Sequence, residues 1–311
     1  MIRDDRIDLM TISVKVPAHR ELVLVALNAG KAVYCEVPLG RTVAETEEMA
    51  NAAGSLHTAI GLQGRLNPAV HRAAQLISSG KIGRPFNARI ISSNVGFGPE
   101  LPSSCDYFNK TSSGANLLTI SAGHTLDLVE AVLGEIVEVD ARTEILWPTV
   151  NLTDTGEKSV RETADHVDIL AKTRSGAVFT ADISGGVAPG DARFSFEIRG
   201  SEGWLSLTSD HPYGCQAGDL KLTSNFPFAT PDKPAVSGGF MGAAINVGEV
   251  YAHLIADLHA STYTTSGFEH ALHNARLIEA VIRAAERGER QQIESRPTLP
   301  LGPCAATAVR A

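Results

Sequence analysis

Short apolar runs alternate with helix-like segments over residues 7–62, and this alternation constrains the fold of the chain most strongly. The apolar runs are IDLMTISV, KAVYCE and HTAIGLQG. The segment Ala18–Gly30 between the first two has helical spacing of its apolar residues and ends at a glycine. Thr42 and Glu45 form a capping box at the start of the next helical segment. Strands that alternate with helices form parallel sheets, so we predict a parallel α/β layer.

The pattern changes after this layer to extended, often alternating segments such as FNARIISSNVGF, DHVDILAKT and RFSFEIRG. They surround one predicted helix over 117–133, and a closing helix over 267–289 follows a loop-rich stretch. We therefore predict a small or incomplete parallel α/β sheet in residues 1–66. An α+β domain with an open, mainly antiparallel sheet follows in residues 67–290, and a tail in residues 291–311. An open sheet face is normally covered, so we expect a homo-oligomer.

Charge and composition exclude several classes of protein. The net charge of −8 argues against a nucleic-acid backbone as partner. There is no run of 18 apolar residues, and the charged start MIRDDRIDLM does not resemble a secretory signal. The four cysteines have no CxxC spacing, which indicates neither a zinc site nor a disulfide framework. We predict a cytoplasmic protein without a metal site.

Two histidines of the closing helix, His270 and His273, have the spacing of neighbours on one helical face. No carboxylate accompanies them in the pattern that a metal site requires. We therefore expect both side chains to lie on the surface.

A feature of dinucleotide-binding sheets is missing near the start of the chain. Such sheets begin with a strand, a GxGxxG turn and a helix, and an acidic residue follows about 20 residues later. The first strand predicted here runs into VKVPAH without such a turn. A sheet of only these strands would also leave one edge exposed.

The stretches IDLMTISVKVPAH, AGKAVYCEVPLG, GLQGRLNP and SGANLLTISAGHTLDLVEAVLG resemble the Gfo/Idh/MocA oxidoreductases. LQGR, GKIG and GHTLD resemble the branch that includes the fungal galactose-pathway repressors, which are non-catalytic and bind a dinucleotide. The resemblance implies an NAD(P)-dependent oxidoreductase acting on a sugar or polyol. The alternative is a non-catalytic transcriptional regulator with a protein partner, which would also be nuclear in a eukaryote.

Matched to that family, the chain begins at about the fourth strand of the Rossmann domain. We therefore expect two βα units of about 30 residues each to be absent, through a truncated gene model or an engineered or degenerate fragment. The resemblance implies NAD or NADP as cofactor, whereas the lack of a GxGxxG turn argues against its binding by this chain.

The catalytic pattern of the family is altered here. Its enzymes carry Glu-Lys-Pro at a strand exit, where this chain has Glu36, Val37 and Pro38. An aspartate commonly stands four residues before a histidine, and Ile120 occupies that place before His124. We predict that Glu36 and Pro38, the latter in a cis bond, shape the cofactor pocket and that His124 binds substrate and acts in catalysis. The alternative for His124 is a buried ring satisfied by backbone groups, and whether the chain is an enzyme stays open.

The resemblance assigns further residues to the same cleft. Pro17 and His19 match the turn that contacts the cofactor, although a plain helix start explains them equally well. Gln63 and Arg65 follow the third strand at the cleft edge, as cofactor-binding residues or, for Arg65, as a bridge between the domains. Asp127 is expected to bind substrate or orient its neighbours, with a surface position on the helix as the alternative.

Overall fold

We describe a computed structural model of the chain, which covers residues 2–217, 219–231 and 242–294. Residues 295–311 of the predicted tail lie outside these described residues.

The start of the chain forms the predicted parallel sheet. Its strands β1 (Leu9–Ile12), β2 (Ala32–Cys35) and β3 (Thr58–Ile60) are adjacent in that order and all parallel. Helices α1 (His19–Asn28) and α2 (Val43–Ala53) connect them. Half of the predicted capping box forms: the backbone N–H of Glu45 donates to Thr42 Oγ1 over 3.2 Å, whereas the Glu45 carboxylate accepts from the backbone N–H of Arg41 over 2.9 Å. β1 is an edge strand of this sheet.

A large second sheet follows after helix α3 (Pro68–Ser78). The remaining strands are β4 (Pro85–Ser93), β5 (Glu100–Leu101), β6 (Ile136–Glu144), β7 (Thr149–Leu152), β8 (Lys158–Val160), β9 (His166–Thr173), β10 (Val178–Ser184), β11 (Arg193–Gly200), β12 (Trp204–Ser209), β13 (Lys221–Ser224) and β14 (Gln291–Gln292). Eight of them form one sheet in the order β13-β12-β11-β4-β10-β9-β6-β14, in which only the β4–β10 pair is parallel. β5, β7 and β8 form a separate small sheet. The predicted fold class is confirmed.

Three further helices complete the fold. A π-helical turn (Leu118–Ala122) leads into α4 (Gly123–Leu133), and α5 (Ala243–Ala260) and α6 (Phe268–Arg287) follow later. The prediction of a loop-rich stretch before α6 is wrong for residues 243–260, which form α5. Buried positions of α5 include the polar Asn246, Glu249 and Asp257, so its apolar periodicity is weak. No helix within the described residues is long and apolar enough to cross a membrane.

Helix α6 contributes to both main hydrophobic cores. Its first turns place Phe268, Ala271 and Leu272 in the core around the parallel sheet. Its later turns place Leu277 and Val281 in the core between the large sheet and the helices that cover it. The two layers are therefore packed against one continuous helix.

The segment 95–116, between β4 and the π-helical turn, is fixed by a buried ion pair. Arg161 Nη1 lies 2.7 Å from Asp165 Oδ2, and the two side chains are 2% and 1% exposed. The same guanidinium donates to Asn109 Oδ1 over 3.0 Å and to the carbonyl oxygen of Gly98 over 2.8 Å. These direct hydrogen bonds from a charged donor hold segment 95–116 against Arg161.

That position lies beside the carboxyl ends of the parallel strands. Lys15 Nζ, which follows β1, donates to the carbonyl oxygen of Ser104 over 2.8 Å. Gly114 has a φ of +70°, and a Cβ added there would lie 2.3 Å from Arg41 Cα in the loop after β2. Segment 95–116 therefore borders the edge at which parallel sheets bind ligands.

Candidate functional site

The exit of β2 places a half-buried carboxylate at this edge. Tyr34 Oη donates to Glu36 Oε1 over 2.7 Å. Burial raises the pKa of Glu36, although the hydrogen bond from Tyr34 opposes the rise. Gly61 permits this arrangement, because a Cβ there would lie 2.5 Å from Glu36 Oε2. The peptide bond before Pro38 is cis, as the family resemblance predicted.

His19 has no exposed surface with which to contact a ligand. It is fully buried, and its Nδ1 lies 3.1 Å from the carbonyl oxygen of Pro38. Its Nε2 lies 2.9 Å from the carbonyl oxygen of Val14. The ring therefore fastens the start of α1 to two strand exits, in line with the helix-start alternative. Pro17 precedes it and is exposed. The cofactor contacts of both residues stay predictions.

The exit of β3 is tied to α4 by an ion pair. Arg65, in the 3-10 turn Gln63–Leu66, donates from Nη1 to Asp127 Oδ1 over 2.6 Å. This is the bridge predicted as an alternative for Arg65. Asp127 is 2% exposed, so the alternative of a surface position for it is wrong. Burial raises the pKa of Asp127, but the charges of Arg65 and His270 outweigh that effect and hold the pKa below its usual value.

Two buried polar atoms at this junction have no hydrogen-bond partner within the described residues. They are Nδ1 of His124, in the first turn of α4, and Oε1 of Gln63. The two residues are only 5% and 7% exposed. The alternative for His124, a buried ring satisfied by backbone groups, is therefore right about burial and wrong about Nδ1. A buried unpaired polar atom costs about 1–3 kcal/mol, so each of these two atoms needs a partner such as a water molecule or a ligand.

Burial also fixes the protonation state of His124. It lowers the pKa of His124 to about 4, against the opposing charge of Asp127. The ring is therefore neutral near pH 7, and it can accept a hydrogen bond at one nitrogen and donate from the other.

This pKa makes the stability of the protein depend on pH. The pKa of His124 is about 4 in the folded chain against an ordinary value of 6.5, so the unfolded chain binds the extra proton between these values and stability falls as pH falls. From pH 7 to pH 4, wild type should lose about 3 kcal/mol more than His124→Gln. Urea unfolding of both proteins at several pH values measures this difference, and a constant gap across the range would contradict it.

The surface position predicted for His270 and His273 is wrong. Both are buried, and their Nε2 atoms lie 2.5 Å from Asp127 Oδ1 and 2.9 Å from Glu130 Oε1. The carboxylates come from α4, far away in sequence, so no local pattern contains them. One signal in the sequence could have predicted this pairing. The two carboxylates on α4 and the two histidines on α6 are each three positions apart, so each pair lies on one face of its helix.

The residues at the strand exits fit the nicotinamide end of a dinucleotide. Oε1 of Gln63 lacks a donor, which an amide N–H or a ribose hydroxyl would supply. Glu36 and Pro38 line the adjacent exit of β2. The GxGxxG turn that would hold the phosphates is not among the residues of this sequence near β1.

Comparison with known proteins gives two family matches. Residues 1–63 match the oxidoreductase family with the NAD-binding Rossmann fold, and residues 68–209 match the C-terminal domain of Gal80p. Dehydrogenase aclE of Aspergillus oryzae is 34% identical over 50% of this chain and 43% of its own length. The galactose/lactose metabolism regulatory protein GAL80 of Kluyveromyces lactis is 33% identical over 66% of this chain and 49% of its own. The chain thus spans about half the length of these relatives.

The fold has counterparts among solved structures. Levoglucosan dehydrogenase in complex with NADH and L-sorbose superimposes with a TM-score of 0.79, over 94% of this chain and 82% of the other. The two sequences are 21% identical, so this likeness establishes the fold.

Proposed function

We propose that this chain, whose residues 1–63 match the NAD-binding oxidoreductase family and whose residues 68–209 match the C-terminal domain of Gal80p, is an NAD(P)-dependent oxidoreductase acting on a sugar or polyol. The observation that carries the proposal is the pair of buried, unpartnered polar atoms Gln63 Oε1, at the exit of β3, and His124 Nδ1, in the first turn of α4. Gln63 stands at the carboxyl ends of a parallel sheet, where such sheets bind ligands, and the Arg65–Asp127 ion pair connects this edge to α4. The similarity to D-apiose dehydrogenase of Paraburkholderia graminis, 26% identical over 95% of this chain and 75% of its own length, supports the substrate class.

The residues divide the work between cofactor and substrate. When bound, a nicotinamide cofactor accepts or supplies the hydride. Pro17, Glu36, Pro38 and Gln63 are proposed to line its nicotinamide end. Arg65 and the buried His19 support them indirectly, because His19 connects the exits of β1 and β2 and Arg65 connects the exit of β3 to α4. His124, neutral near pH 7, hydrogen-bonds the substrate hydroxyl, and Asp127 fixes the helix from which it projects. Val37 and Ile120 carry no proton, so the residues at these two positions supply no acid or base.

A non-catalytic regulator is the second candidate, and the same two apolar residues favour it. Val37 and Ile120 stand where the family's enzymes have lysine and aspartate, and the relation to GAL80 extends over 66% of the chain. Such a protein would bind the dinucleotide and a protein partner without turning over a substrate.

Fluorescence titration with NADH and NADPH, followed by assays with aldoses, anhydro sugars and cyclitols, tests the proposal. We expect saturable binding of one dinucleotide, at least about 10-fold weaker in Gln63→Leu because a buried hydrogen bond is lost. Gln75→Leu on exposed α3 is the control, with unchanged affinity.

The outcomes separate the two candidates. Binding with measurable turnover supports the oxidoreductase, and binding without turnover on any substrate supports the regulator. If neither NADH nor NADPH binds, both candidate functions are overturned.

We also propose that two copies pack through the outer face of the large sheet. Leu170 and Val178, near its centre, are 51% and 45% exposed. Carboxylates outnumber basic side chains on one side of that face, whereas the reverse holds on the other side. On β6 and β9 the acidic residues are Glu138, Asp140, Glu144 and Asp168, and the basic residues are Arg142 and Lys172. On β4 and β11 the basic residues are Arg89, Arg193 and Arg199, and the acidic residue is Glu197. A two-fold axis through the centre would place opposite charges together. Light scattering should therefore give a dimer, and Leu170→Glu a monomer.

The compartment and the domain boundaries are proposals as well. Among the described residues Cys35, Cys105 and Cys215 are free thiols, which suits the reducing cytoplasm. A boundary near residue 66 between a dinucleotide-binding and an open-sheet domain agrees with family matches that end at residue 63 and begin at residue 68.

A further inference from the structure

Two contacts between histidine and carboxylate connect α6 to α4, one helical turn apart. In the first rung, His270 Nε2 lies 2.5 Å from Asp127 Oδ1. In the second rung, His273 Nε2 lies 2.9 Å and 3.0 Å from the two carboxylate oxygens of Glu130. All four residues are at least nine-tenths buried. The two rungs therefore share the same helices, chemistry and burial.

Only the first rung reaches the candidate site. Arg65 Nη1 contacts Asp127 Oδ1 over 2.6 Å and also contacts His270. Arg65 lies two residues after Gln63 in the same 3-10 turn, and Asp127 lies three residues after His124 on the same helix. The first rung is thus connected through the backbone to both unpartnered atoms. Arg65 connects it to Gln63, and Asp127 connects it to His124.

The energetics argue for a role beyond holding the helices together. Removing charges from water costs several kcal/mol per ion, and apolar residues of similar volume hold helices together about as well as a buried pair. A planar guanidinium on a carboxylate gives in return a fixed geometry. Such geometry is needed where polar atoms must be held unpaired until a ligand arrives.

We propose that Arg65, Asp127 and His270 are positioning residues, which hold the Gln63 side chain and the His124 ring in the orientation that binds ligand. The second rung fastens α6 to α4 and, through the N–H of Ile136 that donates to Glu130 Oε1 over 3.0 Å, to the start of β6. The proposal rests on the proposed function for the identity of the ligand, but the orientation of His124 can be measured without any ligand.

Two matched pairs of variants test it: Asp127→Asn against Glu130→Gln, and His270→Gln against His273→Gln. Nitrogen-15 NMR of the imidazole of His124, assigned with His124→Gln, reports its tautomer and surroundings. Fluorescence titration with NADH reports binding. Urea unfolding shows whether the members of a pair lose similar stability.

We expect similar destabilisation within each pair, but a changed His124 spectrum only in the first-rung variants. NADH affinity should fall at least about 10-fold in these variants and less than about two-fold in the second-rung variants. Equal spectral changes in both rungs, or none in either, would overturn the proposal. If Asp127→Asn or His270→Gln fails to fold, the matched pair that contains the other first-rung variant still tests the proposal. If wild type does not bind NADH, the proposed function fails while the spectra still decide the positioning role.

Discussion

Arg161→Met is expected to lower the free energy of unfolding by about 4 kcal/mol, because it leaves a buried carboxylate without its cation. Asp165 is 1% exposed and would keep only its backbone donors, the N–H groups of Leu146 and Trp147 at 2.7 Å and 2.9 Å. The carbonyl oxygen of Gly98 would also lose its donor. Urea unfolding followed by circular dichroism measures the loss.

An exposed ion pair provides the control. Arg276 Nη2 lies 2.7 Å from Glu47 Oε1, with both side chains more than 40% exposed. Arg276→Met should therefore cost no more than about 1 kcal/mol. If Arg161→Met and Arg276→Met lost the same free energy of unfolding, burial would not explain the contribution of the Arg161–Asp165 pair to stability. The double variant Arg161→Met/Asp165→Asn should lose less than the sum of its single changes, because the two residues interact directly.

Gly114→Ala is the second change with a large expected effect, also about 4 kcal/mol. Its φ of +70° strains any side chain, and the new Cβ would lie 2.3 Å from Arg41 Cα and 2.8 Å from the Arg41 carbonyl oxygen. Because both atoms belong to backbone, segment 95–116 would have to move away from the exit of β2. Unfolding in urea gives the stability, and the NADH titration shows whether the site is disturbed as well.

Gly156 separates the two causes. Its φ is +75°, close to that of Gly114, but nothing lies within 4 Å of an added Cβ. Gly156→Ala should therefore cost only the strain of the backbone, about 1 kcal/mol. If both variants lost the same stability, the contact with Arg41 would not matter.

Local patterns were sufficient for the parallel layer but not for α5. The strands and helices of residues 7–62 show clear periodicity, and Thr42 caps α2 by accepting from the N–H of Glu45. Helix α5 buries Asn246, Glu249 and Asp257 beside few apolar side chains. Asp257, for example, accepts hydrogen bonds from Thr262, Thr264 and Thr265. Partners of this kind become visible only once the chain is folded.

The candidate site shows the same division. Gln63, Arg65, His124 and Asp127 were all proposed from the family resemblance, and their binding roles stay predictions. The burial of His270 was not predictable, since its partner lies 143 residues away on α4. Pairings between helices depend on how the helices pack, which periodicity within one helix does not specify.

The double role of α6 has a consequence for the order in which the chain can fold during synthesis. The ribosome releases β1 to β3 early, yet Phe268, Ala271 and Leu272 complete the core around them. The apolar surface of these strands therefore stays exposed until α6, which lies more than 200 residues after β3, has been made. Exposed apolar surface of this kind makes an incomplete chain prone to aggregate.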